Sequence, residues 1–169
     1  KEDLLEQSKG QTLLELIVVV TVGIVIVAAL TFIIIFSLRN ADLAKNQTQA
    51  TKLAQEAVEK VRSIRDTDGG VTFVAATKFS DLWAITLSSS CSPCYFNLAG
   101  NVLIETVGNF DTNPDSNFEK AGAFYRTVIL EDIPATSDKE KKVTVRVKWI
   151  DFAGHHESKV TTVLRNQQI

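Results

Sequence analysis

Two clusters in this chain have residue types and spacings able to do chemistry. The first is Cys91-Ser92-Pro93-Cys94. A Cys-x-x-Cys can be a redox site, half a zinc site or a short disulfide loop. A redox role wants a helix N-terminus beside the pair, and the surrounding residues read as loop and strand. A zinc role wants two more ligands, and His155 and His156 are the only histidines. Adjacent residues on a strand point to opposite sides, although a turn relaxes that. Outside the cytoplasm, oxidation is the expected fate. A disulfide, free thiols, and a metal or redox pair all stay open, and the two histidines read most simply as turn residues on a solvated surface. The second cluster is Lys9-Gly10-Gln11-Thr12-Leu13-Leu14-Glu15, where a carboxylate sits inside an apolar run. No Ser-His-Asp set, phosphate loop or pair of catalytic carboxylates stands out, and Asp66 and Asp68 read as a helix terminus and a turn. The chain is therefore read as a non-enzyme without a cofactor.

The element that must carry Glu15 is a helix. Leu16 to Leu38 is 23 residues without a charge. At about 1.5 Å per residue it spans a hydrocarbon core of roughly 30 Å. In lipid only a helix satisfies its own backbone there. Residues 1–10, KEDLLEQSKG, are short and polar. A secretory signal places its small-residue cleavage site after the apolar run; here Gly10 precedes it, so a cut after Gly10 keeps the apolar segment on the product. The sequence holds no Met, so a longer precursor start is expected. Net charge is −2, which offers no chain-wide attraction to nucleic acid or anionic lipid.

Gly10 followed by Gln-Thr-Leu-Leu-Glu-Leu and a long Val/Ile/Leu/Ala run resembles the prepilin leader and N-terminal helix of type IV pilins and type II secretion pseudopilins. The family pattern is a Gly, a cut, usually Phe, then Thr, two aliphatics and Glu. Gly10, Thr12, Leu13, Leu14 and Glu15 match it, and Gln11 departs from it. The resemblance implies cleavage after Gly10 by a membrane-embedded prepilin peptidase on the cytoplasmic side. A glycine there lets backbone approach backbone closely. It also implies N-methylation of the new Gln11 amine. Glu15, with Thr12 beside it, would set subunit register in a filament by pairing with the Gln11 amine of a neighbour. An unpaired carboxylate in an apolar surround costs about 2.5–3.5 kcal/mol on membrane-insertion scales. Major type IV pilins often carry a helix-breaking Pro in this segment. All three Pro here lie beyond residue 92, which points toward a minor subunit or an I-type pseudopilin.

The helix is expected to continue past the membrane, from Thr12 to about Asp66, roughly 80 Å of helix. No Gly or Pro interrupts residues 39–68, and Leu43, Ala50, Leu53, Ala54, Ala57, Val58, Val61 and Ile64 form one helical stripe. Asp68-Gly69-Gly70 ends it. Beyond Gly70 the pattern turns strand-like. Val71–Leu87 is ambiguous between strand and loop. Tyr95–Leu98 and Val102–Ile104 flank a hairpin turn at Ala99-Gly100-Asn101, and Phe110–Glu119 is a turn-rich loop. Phe124–Leu130 is a strand closed by a turn at Glu131–Pro134. Val143, Val145, Val147 and Trp149 alternate with Thr144, Arg146 and Lys148, giving one buried and one wet face. A turn from Asp151 to Gly154 returns the chain through Lys159–Arg165. The series Tyr125-Arg126-Thr127-Val128, Lys141 to Trp149, Gly154-His155-His156 and Val160 to Leu164 looks like the C-terminal sheet of small pilin-like proteins. Lys139, Lys141, Lys142, Arg146 and Lys148 form a basic strip. It reads as a charged edge strand that resists edge-to-edge pairing, and nucleic-acid binding is not indicated.

The expected architecture is α+β and pilin-like: a long N-terminal helix, transmembrane below and amphipathic above, on a small antiparallel sheet of four or five strands. The expected organisation is 1–10 leader, 11–38 transmembrane and filament core, 39–68 amphipathic helix, and 69–169 globular β head. The implied partners are other pilin-like subunits in a homo- or hetero-polymer, the prepilin peptidase, an inner-membrane assembly platform and ATPase, and membrane lipid before assembly. The implied location is the inner membrane as a single-pass precursor with its head outside the cytoplasm, then an extracellular or periplasmic filament. Type IV pilus, competence filament and secretion pseudopilus share this stem. The alternative is a single-pass anchored ligand-binding or enzymatic domain that does not polymerise.

Overall fold

A computed structural model of the chain describes all residues except 1, 74–75, 88–90, 92, 109, 112–116, 135, 137 and 167–169, with side chains from Leu13 onward. The chain forms two compact units, Lys1–Lys45 and Asn46–Ile169. One helix, α1 (Glu2–Asp66), runs through both ranges of sequence. It begins at Glu2, about ten residues earlier than the periodicity suggested, because Glu2, Leu4, Leu5, Glu6 and Gln7 are good helix formers.

The C-terminus of α1 follows a Schellman pattern. The Gly69 N–H donates to Ile64 O at 2.7 Å and the Asp68 N–H to Arg65 O at 3.2 Å. The left-handed residue is Asp68, with φ of 50°, and not either glycine. Its carboxylate partly offsets that conformation by accepting the Ser80 N–H at 2.9 Å. Gly69 serves close approach instead, since a Cβ there would lie 3.0 Å from Asn101 O and 3.1 Å from Ile64 Cγ2.

Among the described residues eight strands follow: β1 (Gly70–Phe73), β2 (Ala76–Lys78), β3 (Cys94–Ala99), β4 (Val102–Thr106), β5 (Glu119–Ala121), β6 (Phe124–Asp132), β7 (Glu140–Asp151) and β8 (Gly154–Arg165). Between β2 and β3 lies a single helical turn, α2 (Asp81–Ala84), inside the stretch left ambiguous by sequence. The Asp81 carboxylate nucleates it by accepting the Thr77 and Lys78 N–H groups at 3.1 and 3.0 Å. The sheet order is β2-β1-β4-β3-β6-β7-β8, with β5 on β6. All pairs are antiparallel except β1 with β4. The sheet is thus mixed and larger than the antiparallel four or five strands expected. The additional strands are three or four residues long, too short to display an alternating pattern.

In the second unit, residues 46–66 of α1 lie on one face of this sheet. Ala50, Ala54, Ala57, Val58, Val61 and Ile64 share a core with Phe96, Val128, Leu130, Val143, Val145, Val147 and Trp149. Alanine at three stripe positions lets the helix axis approach the large strand side chains, and burial of those side chains supplies the main stabilising term. The β7 alternation holds on this inner face. The outer face is drier than expected: Thr144 is buried beside Thr161, its hydroxyl 3.3 Å away. Phe110, wholly buried, lies beneath the cationic heads of Arg146 and Lys148.

Candidate functional site

Between Leu16 and Leu38 the helix surface carries no charge and is built mostly from large apolar residues that need a cover. From Leu13 to Leu38 the large apolar side chains are 45–72% exposed, all round the helix. A helix apolar on every side is stable only when something else buries it. The one ionisable side chain in this range is Glu15, and it is exposed. Thr21 and Thr31 direct their hydroxyls back to Ile17 O and Val27 O at 2.7 and 2.9 Å, so neither needs water. The helix is long and apolar enough to cross a membrane and lies near the N-terminus. Among the described residues it is the one candidate single-pass anchor. Gly10, Gln11 and Thr12 are helical in backbone, but their side chains fall outside the described residues, and no geometry joins them to Glu15.

In the second unit, polar ties hold α1 to the sheet. Arg126, 3% exposed, donates from Nη1 to Leu53 O at 3.2 Å and from Nε to Glu119 Oε2 at 3.0 Å. Thr51 and Ser158 hydroxyls meet at 3.2 Å, and Arg62 Nη2 donates to Thr162 at 3.3 Å. A second buried ion pair, Lys141 with Asp132, sits at directly opposed positions of β7 and β6. Lys141 Nζ also donates to Ile85 O at 2.9 Å, and the other Asp132 oxygen accepts the Leu87 N–H at 2.7 Å. The pair thereby holds the connection leading to Cys91. Neither Arg126 nor Lys141 was singled out as buried by sequence. A signal was present: Arg126 is in phase with Phe124, Val128 and Leu130, and Lys141 with Val143 and Val145.

Cys91 and Cys94 are disulfide-bonded, their Cα atoms 5.0 Å apart, and no described cysteine is free. Cys94 lies level with Leu130, Val143 and Thr162 across the sheet. His156 is six residues from Thr162 along β8, about 20 Å of strand. The four residues a zinc site would need are therefore not brought together, and no metal-competent group of His, Cys, Asp and Glu exists among the described residues. The histidines also stand corrected. Both lie in β8 and not in the turn. His156 stacks on Trp149 at 5.3 Å and bonds Asp151 Oδ1 at 2.9 Å.

The basic strip is corrected as well. β7 is flanked by β6 and β8, so it is no edge. Its cations are answered from neighbouring segments: Lys141 by Asp132, Lys142 by Glu131, Arg146 by Asp111 and Glu157, Lys148 by Asp111. Hydrogen bonds from Arg146 hold the Asp111 and Glu157 carboxyls below their ordinary values, with Lys148 adding to the effect. Reciprocally, Glu157 and then Asp111 keep Arg146 charged against its partial burial. Asp111, Arg146 and Glu157, with Glu131, Lys142 and Lys159, line an open groove of about 380 Å³ on the outer face. Its charges are balanced, so it presents no standing positive surface for phosphate. No protein-family model, curated protein or solved structure matches this chain.

Proposed function

We propose that this chain is a pilin-like structural subunit, inserted in the inner membrane as a precursor, cut after Gly10 and polymerised through its apolar helix into a type IV pilus-like or secretion filament. The observation that carries this reading is Glu15: the one charge on an otherwise uncharged, exposed helix surface from Leu13 to Leu38, five residues after Gly10. A passive anchor has no use for a charge there. A polymer does, because pairing Glu15 with the methylated Gln11 amine of the next subunit relieves the cost of the buried carboxylate and fixes axial register. Lipid covers Leu16–Leu38 in the precursor, and equivalent helices of other subunits cover it in the filament. Filament cohesion is then mostly apolar burial, and Glu15 supplies alignment. The head contributes an α+β platform that holds the upper part of α1 through Arg126 and the alanine stripe.

Mass spectrometry of the mature protein tests the processing. A methylated N-terminus at Gln11 is expected, and an intact Lys1–Gly10 segment in cells with active prepilin peptidase overturns it. Glu15→Ala tests the polymer: assembly is lost or slowed while the head stays folded. The rival reading, an anchored binding head that does not polymerise, has the open outer-face groove in its favour; it requires Glu15→Ala to have no consequence.

A further inference from the structure

Within the second unit, α1 and β8 run side by side in the same direction. Thr51 meets Ser158, Arg62 meets Thr162, and Arg65 reaches Arg165 O. The β7–β8 turn, at Phe152 and Ala153, therefore lies at the end of the sheet where α1 enters the unit at Asn46. Ser158 back to Gly154 is about 13 Å of strand, whereas Thr51 back to Asn46 is about 8 Å of helix. The turn overhangs the first residue of the unit.

The turn's composition suits an apolar interface. Phe152 is 60% exposed and Ile150 is 54% exposed, with Ala153 exposed between the strands. Its one acid, Asp151, is turned inward, accepting the Ala153 N–H at 2.8 Å and bonding His156. No carboxylate at the tip is left to repel lipid phosphates. The tip stands on a stiff base, since Trp149 packs on both Phe124 and His156. The last residue of the apolar run, Leu38, precedes Asn46 by eight residues, a contour of about 12 Å as helix.

We propose that in the membrane-inserted chain the β7–β8 turn docks on the bilayer, with Phe152 and Ile150 entering the interfacial layer of the lipid. This rests on the reading of Leu16–Leu38 as a membrane span. An aromatic ring and an aliphatic side chain on a short turn are suited to that layer. A second copy of the chain is the competing occupant, but the short contour to Leu38 places the bilayer within reach at all times, without any requirement on protein concentration. The head is thereby held down while the subunit waits, and released when the helix leaves the membrane.

The test uses the full-length chain in vesicles of equimolar phosphatidylethanolamine and phosphatidylglycerol. A polarity-sensitive fluorophore is placed at Ala153→Cys, Gly23→Cys or Lys139→Cys; the native cysteines are disulfide-bonded and do not react. A Cβ at Gly23 meets nothing within 4 Å. Lys139 is exposed beside the opposite end of β7, roughly 35 Å of strand from Asp151. The expected result is quenching of the Ala153 and Gly23 labels by lipid-borne quencher and of the Lys139 label by aqueous iodide. Adding Phe152→Ser should lower the docked-to-free ratio at Ala153 by about tenfold, the loss of one large buried apolar side chain. Iodide access at Ala153 equal to that at Lys139, with Gly23 still in lipid, overturns the docking alone. Iodide access at Gly23 overturns the span and the docking together. Shielding of Ala153 that rises with protein concentration and ignores lipid-borne quencher overturns the lipid in favour of a second copy.

Discussion

Residues 13–38 and 46–66 belong to one helix yet present opposite kinds of apolar surface. In the first range, Leu, Ile, Val and Phe face every direction, and their large side chains stay exposed. In the second, the apolar residues fall on one stripe, three of the seven of them alanine, and all but the half-buried Leu53 are covered by the sheet. The difference separates two tasks. A stripe of small residues is complementary to one partner already present in the chain. An all-round surface of large residues has no preferred side and accepts any apolar surround, whether lipid or several neighbours at once. The first unit is therefore unfinished without its surroundings, and the second is complete.

The sharpest way to break that comparison is a charge in each range. Ala57→Asp buries an unpaired carboxylate and should destabilise the second unit by about 3–5 kcal/mol, read as loss of protease resistance and of the thermal transition. Val27→Asp should leave that transition unchanged and weaken membrane insertion by about 2.5–3.5 kcal/mol, read by carbonate extraction. Equal loss of head stability in both variants would erase the distinction.

The next effect concerns how the complete unit is held. Lys141→Ala strands Asp132 in the interior at a cost of about 3 kcal/mol, and replacing both partners by apolar residues of similar volume should recover most of it. Urea denaturation of the single and double variants measures this. Arg126→Met should cost somewhat less, about 2–3 kcal/mol, because Glu119 is partly solvated and can be hydrated once its bonds from Arg126 are gone, whereas Leu53 O loses its buried donor. Hydrogen exchange in residues 50–57 should rise more than in β7.

The smallest effect lies on the outer face. The Asp111 and Glu157 carboxyls are depressed by Arg146, so their contribution is present above the unfolded value of about 4 and is lost as pH falls through the lower folded values. Arg146→Gln should flatten the acid limb of the melting-temperature profile below about pH 4 while changing neutral stability little, since these acids are substantially exposed. An unchanged acid limb would mean that the outer-face pairs do not contribute.

Much of the fold was legible because its signals are local. The stripe at residues 50–64, the helix end near Asp68, the Gly100-Asn101 hairpin and the β7 alternation each arise within a few residues of themselves. What escaped was set by distant partners. The turn at Asp81 depends on a carboxylate folding back to Thr77. Strand β1 is too short to declare itself and exists because β4 lies beside it. The cations of β7 looked like a solvated edge until Asp111, Asp132 and Glu157 were placed against them. At the candidate site, Glu15 and the apolar run were visible at once, whereas the inward phase of Arg126 marked a helix clamp whose purpose depends on Leu53 being opposite.

By itself the sequence determined that one uncharged stretch long enough to cross a bilayer is followed by an amphipathic helix and by paired strands, because hydrophobic period and run length act residue by residue. Only the tertiary structure decided which side of each strand is covered, which charges are cancelled, that β7 is interior and β8 is the edge, and that the β7–β8 turn lies where α1 enters the head. Those properties belong to pairs of residues far apart in the chain, and folding is what brings them into contact.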